Sequence, residues 1–358
     1  MAKICQIGAG MIGQTMALDL AEVHDVFLAD INIKNVSDKI KNHTSIDLLK
    51  IDALDIKQVS SFIINADIVL LAVPGYAGFK ILKTIIECGK NVVDISFSPE
   101  DIMGLKKIAI ENKVTAIFDA GVAPGIPNYI FGYYNTVEKI NSFKYYVGGL
   151  PKSPKGPFNY KAPFSPIDVI EEYTRPARMM IDGKLVTKPA LSDIEIINFN
   201  NNLELEAFNT DGLRSLLQTM PHVRNMSEKT LRFPGHAKLI KEYKKNGILQ
   251  DRDTIKKLFK EWKLEKNEPE FTILKVEIET DKEIIIYELF DEFDKIAKST
   301  SMARTTGYTA TATINLILEG LFDTKGVFAP ENVCVNKNIF DFILNYLSKR
   351  HVKIQKDI

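Results

Sequence analysis

Three glycines near the start of the chain have the spacing of a phosphate-binding turn. The segment reads Gly8-Ala9-Gly10-Met11-Ile12-Gly13, and it lies between a short apolar run and a helical pattern. In such a turn the first glycine permits the tight reversal and the second lets the backbone approach a pyrophosphate. The third lets the helix pack closely on the strand. The free amide groups at the helix N-terminus then favour the negative charge of the phosphates. The turn predicts dinucleotide binding, and glycines that serve chain reversal alone are the alternative.

Residues at the ends of the following strands bear on which dinucleotide is bound. Asp30 ends the second predicted strand about 20 residues after the turn, where a carboxylate accepts hydrogen bonds from the ribose 2′-hydroxyl. It would repel a 2′-phosphate, and Ile31-Asn32 follow it rather than an arginine, so NAD is predicted and NADP is less favoured. Asp52 could approach the adenine edge or simply form a turn. Val73 and Pro74 close the fourth strand, where the backbone is expected to line the nicotinamide side.

The elements that must hold this turn alternate between short apolar runs and helical patterns. Strands are predicted over 3–7, 25–29, 46–51, 67–73, 91–95 and 114–118, and helices over 11–23, 55–65, 77–88 and 99–112. The strands are apolar throughout rather than alternating, which is typical of strands buried on both faces by crossover helices. This first part of the chain is therefore predicted to be α/β, with the doubly wound parallel sheet of a Rossmann fold.

The pattern changes after Pro124-Gly125-Ile126-Pro127. Strands are predicted over 142–149, 204–209, 228–233, 271–280 and 283–290, a loop over 151–166, and helices over 302–318 and 338–348. Apolar and charged residues alternate strictly over 275–279, as in a strand with one wet face. These features predict a second, α+β domain with a mixed sheet, one face of which is covered by helices. The charged tail, 349–358, is predicted to be frayed.

The overall composition limits the classes of partner. The chain has 358 residues, 45% of them hydrophobic and 26% charged, which is typical of a soluble globular protein of two domains. Its 46 basic and 46 acidic side chains cancel, which argues against nucleic acid as a partner. No apolar stretch could cross a bilayer and no signal peptide is recognisable, so a cytoplasmic location without membrane contact is expected. Cys5, Cys88 and Cys334 lack metal-ligand spacing and are predicted to be buried and reduced, with no metal site.

Several sequence blocks beyond the glycine turn resemble the saccharopine dehydrogenase family. They occur in order between residues 1 and 331, so the resemblance covers most of the chain. The middle blocks are more similar to the lysine 6-dehydrogenase branch than to the saccharopine reductases, which carry an Asn-Arg-Asp-Ser-like stretch where this chain has 210–215. The blocks are Val93-Asp94-Ile95-Ser96, Phe118-Asp119-Ala120-Gly121, Tyr146-Val147-Gly148-Gly149, Tyr173-Thr174-Arg175-Pro176-Ala177, Leu205-Glu206-Ala207-Phe208, Thr230-Leu231-Arg232-Phe233-Pro234-Gly235-His236 and Thr300-Ser301-Met302-Ala303-Arg304.

The resemblance implies a dehydrogenase that acts on a carbon–nitrogen bond. For L-lysine it would oxidise the ε-carbon and release a semialdehyde and ammonia. The alternatives are a glutamate-forming saccharopine dehydrogenase, a family member that acts on another amine, and a catalytically idle NAD-binding sensor. The resemblance also implies a dinucleotide-binding domain over 1–128, a substrate-binding and dimerisation domain over 129–298, and helices over 299–358 that return to the first domain. A homodimer or larger homo-oligomer is expected, with a small amino acid as substrate.

Candidate catalytic residues follow from the proton transfers that this reaction requires. His236, in a Pro-Gly-His turn, is the preferred acid/base because imidazole titrates near neutrality. A histidine that only orients a loop by hydrogen bonding is the alternative. Asp211 could pair with the substrate amine or simply turn the chain before Gly212.

Candidate substrate-binding residues follow from the carboxylates that an amino-acid substrate carries. Arg214 and Arg304 could each bind an α-carboxylate through the guanidinium group, or form ordinary ion pairs. Ser96 and Asn128 are predicted to end core strands at the cofactor crevice and to hydrogen-bond the substrate. Arg178, by contrast, is predicted to lie on a solvated helix face.

Overall fold

The computed structural model describes residues 1–199 and 203–357, and the chain divides into two compact units. Unit 1 comprises Met1–Thr136 and Ala303–His351. Unit 2 comprises Val137–Met302 and the chain from Val352 onward. The division differs from the predicted boundaries in three places, since residues 129–136 belong to unit 1, whereas residues 299–302 and the chain beyond His351 belong to unit 2.

The first part of unit 1 alternates strands and helices. The elements are β1 (Lys3–Ile7), α1 (Met11–Leu20), β2 (Asp25–Asp30), α2 (Asp38–Lys41), β3 (Ile46–Lys50), α3 (Ile56–Ile63), β4 (Ile68–Leu71), α4 (Gly75–Glu87), β5 (Asn91–Asp94), α5 (Lys106–Glu111), β6 (Thr115–Ile117) and α6 (Ile126–Val137).

Unit 2 is richer in strands. Its elements are β7 (Ile140–Pro151), α7 (Pro166–Thr174), β8 (Ala177–Ile181), β9 (Lys184–Lys188), β10 (Glu195–Phe199), β11 (Leu203–Asn209), α8 (Leu216–Thr219), β12 (Asn225–Arg232), α9 (His236–Lys245), α10 (Arg252–Glu261), β13 (Glu270–Thr280) and β14 (Ile284–Glu292). The elements that follow along the chain are α11 (Ser301–Leu318), β15 (Gly326–Phe328), α12 (Pro330–Val333) and α13 (Lys337–Lys349), which complete unit 1, and β16 (Ile354–Lys356), which belongs to unit 2.

The sheet of unit 1 is a doubly wound parallel sheet of the order β15-β6-β5-β4-β1-β2-β3. The strand order reverses beside β1, and in open α/β sheets ligands bind at such a point, beyond the carboxyl ends of the strands. All four residues of β4 are buried, as the unbroken apolar run predicts. Two of them, Val69 and Leu71, pack with Ile81 and Ile85 of α4 in one apolar core. The predicted Rossmann fold is confirmed.

The sheet of unit 2 is mixed. Its main path is β10-β11-β12-β7-β13-β14-β16, and the β8–β9 hairpin branches from β12. Strands β7 and β12 are parallel, whereas the other pairs are antiparallel. A second apolar cluster joins α7, α9 and α10 around Trp262, Tyr173 and Ile240, which are fully buried. The expected α+β domain with a mixed sheet is confirmed.

Three local predictions outside the candidate site are wrong. The tail is not frayed, because Ile354–Lys356 pairs with β14 and satisfies backbone groups at that edge of the sheet. The predicted helix over 99–112 is interrupted: a 3₁₀ turn over Ile102–Leu105 precedes the α-helix that begins at Lys106. Of the three cysteines, Cys5 and Cys334 are buried but Cys88 is exposed. Within the described residues, no helix is long and apolar enough to span a bilayer.

Candidate functional site

The glycine turn joins β1 to α1 at the carboxyl edge of the parallel sheet. Gly8 has φ of +109°, and a Cβ there would lie 2.2 Å from the Ala72 carbonyl oxygen. A Cβ on Gly13 would lie 2.3 Å from the carbonyl oxygen of Gly8. By contrast, a Cβ on Gly10 would meet no atom within 4 Å. The first and third glycines are therefore required by packing, while the second leaves open space beside the N-terminus of α1, where a pyrophosphate fits.

Asp30 ends β2 beside this turn. Its two carboxylate oxygens accept hydrogen bonds from the backbone amides of Ala9 and Asn32, each at 2.7 Å. The side chain is half-buried, so the carboxylate is fixed in position without being shielded from a ligand. Its place at the carboxyl edge, next to the phosphate-binding turn, fits a group that binds the ribose of a dinucleotide.

The rest of this edge presents apolar side chains to the surface. Ile31 is 60% exposed and Leu54 is 51% exposed, on the loops that follow β2 and β3. Asp52, on the same loop as Leu54, accepts a hydrogen bond from the Leu54 amide at 2.9 Å. This contact fits a turn residue, which was the alternative to contact with the adenine edge. Val73 and Pro74 lie between β4 and α4 as predicted. Exposed apolar side chains beside Asp30 fit the flat, partly apolar adenine of a dinucleotide.

Ser96 lies two residues beyond the end of β5, as predicted. Both its amide and its hydroxyl donate to one carboxylate oxygen of Asp94, at 2.7 and 2.6 Å. The hydroxyl also lies 3.3 Å from that of Ser98, and all three side chains are buried. A Cβ on Gly78 of α4 would lie 2.0 Å from the Ser96 hydroxyl oxygen, so α4 packs directly on this loop. Substrate binding by Ser96 stays a prediction.

Asn128 is not at a strand end, so its predicted location is wrong. It lies in the first turn of α6 and is fully buried. Its side chain accepts from the Gly125 amide at 3.0 Å and donates to the Glu331 carboxylate at 2.9 Å. The amide thus joins the Pro-rich turn before α6 to α12. Pro127 precedes it in this turn, where proline is well tolerated because the first amides of a helix have no partner within the helix.

Asp211 of unit 2 is bound by an arginine that the sequence analysis placed elsewhere. Arg178 lies on β8, not on a helix face. Its Nε and Nη2 atoms each donate to the Asp211 carboxylate at 2.9 Å, and its backbone amide donates at 3.1 Å. The Asp211 side chain is buried, whereas that of Arg178 is 45% exposed. The guanidinium group balances the charge of the Asp211 carboxylate. The pair also ties the loop after β11 to β8.

Glu228 lies beneath the same loop. This carboxyl group of β12 contacts the hydroxyl of Thr210, with oxygen–oxygen distances of 2.9 and 2.7 Å. It also accepts from the Gly212 amide at 3.0 Å. Burial, together with the negative charges of Glu172 and Asp211, raises the pKa of Glu228 to about 8. Arg214, on the same loop, is half-buried and has φ of +44°.

His236 is the first residue of α9 and lies inside an aromatic cluster. It is only 2% exposed, and its ring packs against Tyr160, Tyr173 and Trp262. Its Nδ1 atom is 2.9 Å from the carbonyl oxygen of Phe158, and its Nε2 atom is 2.9 Å from the Tyr173 hydroxyl. Burial and, secondly, the charge of Arg232 lower the pKa of His236 to about 3.

These contacts fix the direction of every proton around His236. The Arg232 Nε atom donates to the Tyr173 hydroxyl oxygen at 3.0 Å. That hydroxyl donates to Nε2 of the neutral imidazole, and Nδ1–H donates to the Phe158 carbonyl. A neutral histidine with both ring nitrogens engaged fits the orienting role that the sequence left open. Its role as acid/base stays a prediction that this geometry does not support.

A network of buried polar side chains on β12, which was not predicted, surrounds these groups. Glu228, Thr230 and Arg232 alternate along β12, at positions that share one face of the strand, and all three are buried. Thr230 is 2.8 Å from the hydroxyl of Thr210. Arg232 lies over the Tyr160 ring at 4.4 Å and pairs with Glu172 at 3.3 Å. The signal was present: polar residues at every second position of a strand whose inward face should be apolar.

Arg304 lies on α11 and belongs to unit 1. It is 5% exposed, and its Nη2 atom donates to the Arg350 carbonyl at 3.3 Å. The two arginines that were predicted to bind substrate thus lie in different units, with Arg214 in unit 2. Carboxylate binding by either stays a prediction. No group of potential metal ligands occurs among the described residues.

Comparisons with known proteins cover both units. The family model described as the saccharopine dehydrogenase NADP binding domain matches residues 4–117, and the model of the saccharopine dehydrogenase C-terminal domain matches residues 121–352. The mitochondrial alpha-aminoadipic semialdehyde synthase of Bos taurus is 25% identical over 208 residues, which is 54% of this chain but only 22% of that protein. The chain therefore corresponds to about a fifth of that relative.

Two further comparisons concern yeast. The saccharopine dehydrogenase (NADP(+), L-glutamate-forming) of Saccharomyces cerevisiae is 23% identical over 263 residues, which cover 70% of this chain and 59% of that protein. The solved structure of apo histidine-tagged saccharopine dehydrogenase (L-Glu forming) from Saccharomyces cerevisiae superposes with a TM-score of 0.80 at 18% identity, covering 100% of both chains. At this level of identity the match shows a shared fold.

Proposed function

The chain belongs to the saccharopine dehydrogenase family, and on that premise we propose that it is a nicotinamide-dependent dehydrogenase acting on a carbon–nitrogen bond. The observation that carries the proposal is the turn between β1 and α1. Packing requires glycine at positions 8 and 13, open space remains beside position 10, and Asp30 is held against the turn by the Ala9 amide. These are the features that a pyrophosphate and an adjoining ribose require.

The chain's residues would hold the cofactor and substrate rather than supply the redox chemistry. The α1 N-terminus would bind the pyrophosphate, and the Asp30 carboxylate would accept hydrogen bonds from the ribose hydroxyls. A bound nicotinamide supplies the acceptor for the hydride that leaves the amine-bearing carbon. The protein must hold that carbon about 3–3.5 Å from the acceptor and keep the amine unprotonated.

Saccharopine and L-lysine are the two substrates that we propose to test first. Oxidation of saccharopine breaks a secondary amine and releases glutamate, whereas oxidation of L-lysine at the ε-carbon releases ammonia. The name of the relative from Saccharomyces cerevisiae favours saccharopine. The resemblance of the middle sequence blocks to lysine 6-dehydrogenases favours L-lysine. The family assignment covers both reactions, because each oxidises a C–N bond to an imine that water then hydrolyses.

We propose NAD as the preferred cofactor, although the matching family model and the relative from Saccharomyces cerevisiae are named for NADP. The support is local. Asp30 presents a carboxylate at the place where a 2′-phosphate would lie, and the neighbouring Ile31 is apolar and 60% exposed. A second negative charge at this position would be repelled, and residues 31–33 contain no cation to compensate.

We propose positioning roles for the two residues that the sequence put forward as catalytic. Asp211 is neutralised by Arg178, and the imidazole of His236 is buried and neutral. Asp211 braces the loop at 210–215, which carries Arg214, whereas His236 orients the aromatic side chains around it. Arg214, Arg304 and Ser96 stay our candidates for contact with the substrate.

The test incubates the protein with NAD or NADP and, separately, with saccharopine, L-lysine or L-ornithine, and follows the absorbance of the reduced cofactor. Reduction with saccharopine and release of glutamate would support the first reaction. Reduction with L-lysine and release of ammonia would support the second. Binding of cofactor without turnover of any of the three amines would instead indicate an NAD-binding sensor. Gly13→Ala, in which the new Cβ would meet the Gly8 carbonyl at 2.3 Å, is the matched cofactor-deficient control.

A further inference from the structure

A glutamine side chain lies beneath the phosphate-binding turn. Gln6 is on β1 and is fully buried, and its neighbours in sequence, Cys5 and Ile7, are buried too. Its Nε2 atom donates to the carbonyl oxygen of Gly8 at 2.9 Å and to that of Gly13 at 2.6 Å. One amide group therefore ties the first glycine of the turn to the third, across the reversal of the chain.

The orientation of this amide is determined by its partners. Turning it over would place Oε1 against two carbonyl oxygens, which cannot donate a hydrogen bond. Oε1 itself has no hydrogen-bond partner among the described residues. Burying an amide with one atom unsatisfied is costly, so a polar residue at the centre of this apolar strand needs a compensating function. Its two short contacts to the turn identify that function.

We propose that Gln6 is a positioning residue that holds the turn in the shape required to bind a pyrophosphate. Gly8 enters the turn and Gly13 lies in the first helical turn of α1, so fixing their carbonyls fixes the amides between them. Those amides are the groups that would donate to the phosphate oxygens. Gln6 is buried beneath the turn and acts only through the glycines. The inference rests on the proposed cofactor binding and adds the residue that pre-organises it.

Gln6→Leu tests this inference, because leucine keeps most of the volume and removes both donated hydrogen bonds. We expect it to weaken the binding of ADP-ribose, which contains the pyrophosphate, by roughly tenfold, the change that about one net hydrogen bond would make. Adenosine, which has no phosphate, should lose less than about twofold. Gln6→Met should behave in the same way, and it provides a second, more adaptable side chain if the leucine variant does not fold.

The control separates pre-organisation of the turn from general loss of stability. Val92→Ala removes buried methyl groups from β5, at a distance from the turn, and should lower the melting temperature without changing the affinity for either ligand. Equal affinity of the wild-type and Gln6→Leu proteins for ADP-ribose would overturn the inference alone. So would an equal loss for adenosine and ADP-ribose. Failure of the wild-type protein to bind ADP-ribose would overturn the proposed function as well.

Discussion

The buried carboxyl group of Glu228 should make unit 2 less stable as the pH rises. The side chain is 3% exposed, and its pKa is raised from the ordinary 4.5 to about 8, first by burial. When protonated, it can donate to the Thr210 hydroxyl, which in turn donates to that of Thr230 at 2.8 Å. We expect Glu228→Gln, which imitates the protonated group and cannot ionise, to remove this dependence on pH.

The sign and size of the effect follow from proton linkage. Between pH 4.5 and 8 the folded state keeps the Glu228 proton and the unfolded state has lost it, so the free energy of unfolding falls as the pH rises. The difference between 8 and 4.5 corresponds to at most about 5 kcal/mol over that window. Wild-type protein and Glu228→Gln should therefore be about equally stable near pH 5. The variant should be more stable by several kcal/mol at pH 8.

Urea unfolding at pH 5, 6, 7 and 8 measures this difference. The chain contains one tryptophan, Trp262, which is fully buried in unit 2, so its fluorescence reports on the unit that holds Glu228. Glu283→Gln, at an exposed carboxylate in the turn between β13 and β14, is the control and should follow the wild-type curve. A constant difference between wild-type and Glu228→Gln from pH 5 to pH 8 would mean that Glu228 is ionised throughout, and the reasoning would fail.

Three further variants test the site. Asp30→Ala should raise the affinity for NADP relative to NAD by at most about a hundredfold, since it removes a repulsion of about 2–3 kcal/mol between the carboxylate and a 2′-phosphate at roughly 5 Å. Asp55→Ala, at the same edge of the sheet, is the control. An unchanged ratio of the dissociation constants for NAD and NADP in Asp30→Ala would refute the role of Asp30. Gly13→Ala should abolish cofactor binding, measured by fluorescence titration, because its Cβ would lie 2.3 Å from a backbone oxygen, whereas Gly104→Ala, with no atom within 4 Å, should bind normally. His236→Gln should lower the free energy of unfolding by about 1–3 kcal/mol and leave the pH dependence of turnover unchanged, and loss of a limb near neutral pH would instead identify His236 as the acid/base.

The parallel sheet could be predicted because its signals are local. An unbroken apolar strand such as β4 can only be buried on both faces, and the spacing from the glycine turn to Asp30 places both at the carboxyl edge. The ends of α6 and the pairing of β16 could not be predicted in the same way. In α6, prolines open a helix whose sides are almost all buried, so the amphipathic pattern is missing. In β16, the pairing depends on a partner strand more than 60 residues away in the sequence.

The candidate site shows the same difference between local signals and contacts that depend on the fold. The cofactor turn and Asp30 could be predicted from their residue types and spacing, because their function depends on residues close to them in the sequence. The surroundings of His236 did not follow from its type, because its two hydrogen-bond partners, Phe158 and Tyr173, are distant in the chain. A histidine is a plausible base in water and a neutral hydrogen-bonding group inside an aromatic cluster. Only the fold decides between them.

Each unit is built from two separate segments of the chain, and this has a consequence for biosynthesis. The parallel sheet is not complete until β15 has been made, because β15 pairs with β6 across an insertion of about 200 residues. The mixed sheet likewise waits for β16 to cover β14. A nascent chain whose first 302 residues have left the ribosome therefore exposes the edges of β6 and β14 at once, and unpaired edges are where nascent chains associate. We expect nascent chains of this length to need chaperone protection until β15 and β16 have been made and have left the ribosome.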